Sequence, residues 1–444
     1  MKLTLIYPGI GDYEDEARME PLSVGALAGM TPPDVEVALY DDRMETIPYD
    51  EPTDLVGITV QIFSAKRSYE IAAEYRKRGA PVVMGGMHPT LIPEEVAQHC
   101  DTIFLNDAER LWPQVVEDAR NGKLRPVYRG EPSVPQPETF TRFDLYKGKK
   151  YLPITLMQFG RGCPFVCTFC ATSAYFDHGH HYREVERVVA EIARQDRKHI
   201  FFVDDNIVGD VKAAKALFRE LIPLKIHWVS QASINMTHDR ELMDLMARSG
   251  CLGHVVGLES IEQSSLRLMK KPQNMIGGFD SYQPQLEVLR DYGLQTWAAF
   301  TIGHDCDTPE SIERTLEFAL KNKFTFAAFN ILLPYPGTPL YRQLQAEGRL
   351  LYDGKWWLHP DYRFNHAAFA PKHMTADKLT ELTYHMRRTF NSPASIFTRA
   401  FDFKTNMRNP YRFGVYAIYN PIFRRETFKK QGIKLTRSLH PERV

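Results

Sequence analysis

The chain has 444 residues, too many for one ordinary core, and 43% are hydrophobic, which is globular rather than disordered. Lys plus Arg and Asp plus Glu both number 55, so no global charge argues for nucleic-acid binding. The start, "MKLTLIYPGIGDYEDE", is not a signal peptide, no window has the roughly 20 apolar residues of a membrane span, and six cysteines in so long a chain make no disulfide framework; a cytoplasmic protein with reduced thiols is expected.

Residues 1–130 alternate strands and helices. Strands are predicted at 2–9, 35–41, 55–61, 81–86 and 102–106, and "SAKRSYEIAAEYRKRG" carries Tyr69, Ala72 and Ala73 at helical spacing before the stop at Gly79. The alternation predicts a doubly wound parallel sheet, a Rossmann-like α/β domain, with ligands beyond the carboxyl ends of its strands. Those ends carry Pro8-Gly9, Thr59-Val60-Gln61, Gly85-Gly86 and Asn106-Asp107.

Residues 131–153 read as a linker, with prolines at 132, 135 and 137. Over 154–336 the alternation restarts, with strands at 154–161, 199–205, 225–231, 251–258, 294–302 and 325–332. The helices between them are well marked: Val185, Val188, Val189 and Ile192 share one face, Leu242, Leu245 and Met246 another before Gly250, and Thr308-Pro309 makes a helix start. Six βα units predict a partial, open (β/α)6 barrel of the TIM type, with its chemistry at the carboxyl ends of the strands. Residues 337–444 read as a helical C-terminal region. Between 399 and 437 it holds 10 Lys and Arg against Asp402 and Glu426, either a solvated helical cap or, with the apolar "FGVYAIYNPIF", a contact with a membrane surface or an anionic substrate.

Half of the cysteines crowd into "GRGCPFVCTFC", at Cys163, Cys167 and Cys170. Thiolates spaced C-x3-C-x2-C reach three corners of one compact inorganic centre. A structural zinc site draws four ligands, normally from two knuckles, and an iron–sulfur ferredoxin cluster uses four cysteines. Three thiolates leave one metal open to another ligand, and Gly160 and Gly162 let the backbone come close. Three unrelated core thiols are the plain alternative.

This motif, with Phe169 before its last cysteine and a barrel behind it, resembles the radical S-adenosylmethionine superfamily. The resemblance implies a [4Fe–4S] cluster on Cys163, Cys167 and Cys170, with S-adenosylmethionine on the open iron, cleaved to a 5′-deoxyadenosyl radical. It implies further contacts at the strand ends. Asp204 and Asp205 in "FFVDDN" match the position that meets the amino group, or else form a strand-end turn or helix cap. Glu259 and Ser260 in "GLES" match the ribose or methionine contact, and Ile302 and Gly303 in "AFTIG" the adenine contact. Gln231 ends the third strand and either faces the same mouth or packs in the core. Arg161 reads as structural, and "HGHH" (178–181) as a polar loop rather than a second metal site.

The N-terminal domain, through "MEPLSVGALAG", "VVMGGMHPTLIPEEV" and "DTIFLNDAE", resembles the cobalamin-binding domain of the B12-dependent subgroup. That implies cobalamin near Thr59, Gln61, Gly85, Gly86 and Asn106. The D-x-H-x-x-G motif that lends histidine to cobalt is absent, and the usual G-E-[GA]-E reads Asn106-Asp107-Ala108-Glu109. The resemblance implies an enzyme that transfers a methyl group to an unactivated carbon of a small-molecule or lipid-like substrate, fed by an external flavodoxin- or ferredoxin-type electron donor. "ILLPYPGTPLY" (331–341) also resembles the anaerobic magnesium-protoporphyrin ester cyclase and hopanoid-linked members, so radical cyclisation or ring rearrangement is a second reading. An iron–sulfur electron carrier or a cobalamin sensor is a third.

Overall fold

The computed structural model describes residues 1–11, 13, 17–131, 134, 140–275 and 282–436. The linker prolines at 132, 135 and 137 and the basic Arg437 lie outside the described residues. The chain divides into two compact units, Met1–Leu152 with Tyr352–Phe364 and Gly432–Val444, and Pro153–Leu351 with Asn365–Gln431. The region 337–444 is therefore shared between the units.

The first unit holds β1 (Lys2–Tyr7), β2 (Glu36–Asp41), β3 (Leu55–Thr59), β4 (Val82–Gly85), β5 (Thr102–Leu105) and β6 (Val127–Arg129). They form one parallel sheet in the order β2-β1-β3-β4-β5-β6. The three-residue β6 is too short to show a period and was not foreseen. The order reverses direction between β1 and β3, and in such sheets the connections diverge there and leave a crevice beyond the strand ends. Leu3, Leu5, Leu55, Val83, Phe104 and Trp112 fill the core. The returning segment 352–364 adds buried Trp356, Trp357 and Tyr362.

In the second unit β7 (Thr155–Met157), β10 (His199–Phe202), β11 (His227–Ala232), β12 (Cys251–Glu259), β13 (Gln295–Ile302) and β14 (Phe326–Ile331) lie in chain order, all parallel. No pairing joins β7 to β14 among the described residues, so the six units wind as an open, TIM-like partial barrel. The first predicted strand, 154–161, breaks after Met157. Its end becomes β8 (Gly160–Gly162), paired antiparallel with β9 (His180–Tyr182). This ribbon brackets the cysteine loop.

The segment 399–412 packs on the amino ends of the barrel strands. Arg399, fully buried, donates to the carbonyls of Phe324, Thr325 and Phe390. Arg412 donates to the carbonyls of Cys251 and Leu252. Tyr411 stacks on His227, and from the helix Pro410–Lys430 Phe423 packs on Trp297 and Phe326. This helix crosses the end of the barrel opposite the cysteine loop.

Candidate functional site

The cysteine loop leaves the carboxyl end of the first barrel strand and is held by its backbone. The N–H groups of Phe159 and Gly160 donate to the Asp204 carboxylate, at 3.1 Å for Phe159. The Gly162 N–H donates to Asp205 Oδ2 at 2.9 Å, and the Thr172 hydroxyl to Asp205 Oδ1 at 3.0 Å. Asp204 and Asp205, expected to meet an amino group of a ligand, thus spend their oxygens on the loop. Burial pushes Asp204 up to about 7, against the opposing pull of its N–H donors. Gly162 is required: its φ is +81°, and a Cβ there would lie 2.1 Å from the Gly179 carbonyl. Farther along, the Thr168 N–H donates to the Met269 carbonyl, and the Leu340 N–H to the Thr168 carbonyl, each at 3.0 Å.

Cys163, Cys167 and Cys170 are free thiols. Burial, with Cys170 and Cys167 adding to it, pushes Cys163 up to about 11. Burial also raises Cys167, while Lys271 and Gln273 pull it back. Loading a metal here expels protons. Among the described residues no three His, Cys, Asp or Glu side chains converge on a single ion.

Beside the loop, β12 ends at Glu259, whose φ of 62° lies in the left-handed region. Lys271 Nζ is 2.7 Å from Glu259 Oε1, and the Thr301 hydroxyl donates to Oε2 at 2.5 Å. Burial alone would lower the Lys271 pKa; the Glu259 charge and hydrogen bond, together with the Cys167 and Cys170 thiols, more than reverse this and raise it. Gln273 Nε2 donates to Cys167 Sγ at 3.6 Å. Lys271, Gln273 and Thr301 escaped the sequence reading. The first two lie in a loop with no periodic signal, and only tertiary packing brings them to the cysteines.

Three buried polar atoms around this point have no partner among the described residues: Gln273 Oε1, Asn274 Oδ1 and His304 Nε2. Burial holds His304 below its usual pKa, so the ring is neutral and offers an acceptor or a donor. Its edge meets Phe169, with ring centroids 6.1 Å apart. Unfilled polar atoms in a buried place fit a polar ligand, as S-adenosylmethionine is.

The other predicted residues are placed as follows. Gln231 is half-buried on the same strand face as Val229, and its Nε2 donates to the Asp204 carbonyl at 3.3 Å. Ser260 Oγ accepts from the Glu262 N–H. Ile302 has its side chain buried in the core, on the strand face opposite Thr301, and its carbonyl accepts from the Leu332 N–H. The Gly303 N–H donates to Asp307 at 2.8 Å. In "HGHH", His180 is bound to the Tyr182 hydroxyl.

In the first unit Thr59 and Gly85 face each other across β3 and β4. Gln61 reaches from the end of β3 to the Tyr7 hydroxyl at the end of β1, at 3.5 Å across the switch point. Gly86 has a φ of +108°, which a side chain rarely adopts, and a Cβ on Gly85 would stand in ordinary contact with Phe104, at 3.4 Å. Asn106, with φ 61°, donates from its side chain to the Gly130 carbonyl. His88 is within bonding distance of Tyr69 and Glu95, at 3.2 and 3.3 Å, and is not offered to a metal. The cradle of small and polar groups at these strand ends fits a large polar-rimmed cofactor such as cobalamin, without a histidine for its cobalt.

Residues 157–319 match the model of the radical SAM superfamily. The chain is 31% identical over 363 residues to a bacteriochlorophyllide d C-8(2)-methyltransferase of Chlorobaculum tepidum, covering 76% of this chain and 79% of that one. It is 28% identical over 392 residues to the bacteriochlorophyllide d C-12(1)-methyltransferase of the same organism, covering 85% and 84%. Among solved structures it is similar to the radical S-adenosylmethionine methyltransferase TsrM of Kitasatospora setae with cobalamin and [4Fe–4S] cluster bound. There the TM-score is 0.62, the identity 18%, and 78% of each chain is covered.

Proposed function

Because the chain belongs to the radical S-adenosylmethionine superfamily, we propose that it is a cobalamin-dependent methyltransferase acting on an unactivated carbon of a small-molecule or lipid-like substrate. The observation that carries this reading is the three-thiol loop, clamped by Asp204 and Asp205 beside the Glu259–Lys271–Thr301 group. When bound, the cluster supplies the electron that cleaves the sulfonium, and cobalamin supplies the methyl group.

Cys163, Cys167 and Cys170 hold the cluster. Asp204 and Asp205 fix the loop's N–H groups, so the thiols keep their spacing when iron is lost or gained. Glu259 and Thr301 present oxygens to the nucleoside, and Lys271 holds the Glu259 carboxylate in place. Gln273, Asn274 and His304 offer their unpartnered atoms to its polar groups. Phe169 and Gln231 flank the same end of the barrel. In the first unit Thr59, Gln61, Gly85, Gly86 and Asn106 hold the cobalamin. The two bacteriochlorophyllide methyltransferases favour a large, flat, mostly apolar substrate and methyl transfer over ring closure. The electron comes from an external flavodoxin- or ferredoxin-type donor, in the cytoplasm. No helix among the described residues is long and apolar enough to cross a membrane.

The test is anaerobic incubation of the reconstituted, reduced protein with S-adenosylmethionine, hydroxocobalamin and a bacteriochlorophyllide. The expected result is 5′-deoxyadenosine together with S-adenosylhomocysteine in step with methylated product, both abolished by Cys163→Ala. Turnover yielding 5′-deoxyadenosine and no S-adenosylhomocysteine would move the chain to the cyclase reading. Protein that cleaves no S-adenosylmethionine above the Cys163→Ala control would end the radical reading.

A further inference from the structure

Ten large hydrophobic side chains are exposed among the described residues, and six of them lie between 397 and 418: Phe397, Phe401, Phe403, Tyr411, Phe413 and Ile418. Phe397, Phe403 and Ile418 are 68%, 70% and 61% exposed, far beyond a scatter of half-covered core residues. In the helix Pro410–Lys430, Phe413, Ala417, Ile418 and Pro421 are all exposed. Their spacing of four, one and three residues puts them on one helical stripe. No charged residue occurs from Phe413 to Phe423.

The exposed charges of the segment itself have one sign, although Asp291 of a neighbouring element pairs with Lys404 at 2.6 Å. The two carboxylates of the segment 397–430, Asp402 and Glu426, are 3% and 5% exposed. Asp402 is paired with Arg290 at 2.9 Å. By contrast Arg408, Arg425 and Lys429 are exposed. The segment thus shows solvent aromatic and aliphatic groups rimmed by cations, with its own two carboxylates buried. This is the chemistry of a surface that settles at the boundary between anionic headgroups and acyl chains.

We propose that segment 397–430 is a docking surface for an anionic lipid bilayer, with the phenylalanines and Ile418 entering the boundary and the arginines and lysines meeting the headgroups. The sequence alone put such a contact on the basic tail with the stretch 413–423; in the structure this segment is folded, and exposed Phe397, Phe401 and Phe403 extend the apolar surface. The segment packs on the amino ends of the barrel strands, so docking leaves their carboxyl ends, where the cysteine loop sits, free. The surface suits an enzyme that collects or releases an apolar molecule at a membrane, yet it stands whether or not the proposed methyl transfer does.

The test is flotation of the full-length protein with vesicles of phosphatidylcholine alone, or with phosphatidylglycerol added. Binding is expected only with phosphatidylglycerol, and weaker at high salt. The triple variant Phe397→Ser/Phe403→Ser/Ile418→Asn and the charge variant Arg425→Glu/Lys429→Glu should each lower the bound fraction about tenfold. Both should keep the wild-type circular dichroism and the cluster absorbance, since all five side chains are exposed. The proposal is overturned if the wild type does not float, if it floats equally with phosphatidylcholine alone, or if both variants float undiminished. It is also overturned if light scattering finds a wild-type dimer that the triple variant dissolves, which would make the patch a surface between two copies of the chain. Cleavage of S-adenosylmethionine by the variants, measured without vesicles, reports on the active site separately.

Discussion

Glu259 and Lys271 carry opposite charges in a buried place beside the cysteines, and neither is stable there without the other. Their side chains are each 11% exposed and 2.7 Å apart. Lys271→Met leaves an uncompensated buried carboxylate and is expected to destabilise the protein by about 3–5 kcal/mol. Lys271→Met/Glu259→Gln, which removes both charges, should recover most of that loss, read as the midpoint of denaturant unfolding. Additive losses would mean that the pair does not act as a unit. The pair also explains Gly257, where a Cβ would lie 2.4 Å from Glu259 Oε1 and 2.9 Å from Lys271 Nζ. At this scale the sequence was readable in part. Three cysteines in eight residues announce themselves, and "GLES" at a strand end points to Glu259. Thr301 was missed because "QTWAAFTI" is mostly apolar and hides which residues face which side; a shift of one residue exchanges the faces.

At the scale of elements, the cysteine loop is ordered by the second barrel strand rather than by its own sequence. Asp205 binds the Gly162 N–H and the Thr172 hydroxyl, so Asp205→Ala frees two groups at the ends of the cysteine segment. After reconstitution this variant should lose most of its iron while retaining its far-ultraviolet circular dichroism; full iron occupancy would show that the clamp is dispensable. Apart from the short β6, the strands of both sheets were legible from alternation, turn residues and helix stops. The break of the first barrel strand into β8 was not, because the reason for it is the pairing with β9 across the cysteine loop. Arg399 and Arg412, read in sequence as part of a basic tail, close the amino end of the barrel through backbone carbonyls that no pattern reveals, and Tyr411 adds a ring stacked on His227.

Across the whole chain, a late segment completes an early unit. Glu95 accepts from the Tyr69 hydroxyl at 3.0 Å and from Trp357 Nε1 at 2.9 Å, across 262 positions of sequence. Burial alone would raise its pKa, but the hydrogen bonds from His88, Trp357 and Lys355 outweigh it and hold Glu95 at about 2, from an ordinary 4.5. A depressed carboxyl contributes stability that is complete above its unfolded value and lost as the pH falls through its folded one. Wild type should therefore exceed Glu95→Gln by about 3 kcal/mol at neutral pH, and the gap should narrow between pH 4.5 and 2. A gap independent of pH would assign the effect to packing.

The central claim is that three thiolates grip a cluster and leave one iron to S-adenosylmethionine. Electron paramagnetic resonance of the reconstituted, dithionite-reduced protein, recorded with and without S-adenosylmethionine, tests it most directly. A [4Fe–4S] signal that shifts when S-adenosylmethionine is added is the predicted result. A signal indifferent to it, or a protein that takes up zinc in place of iron and sulfide, would contradict the claim.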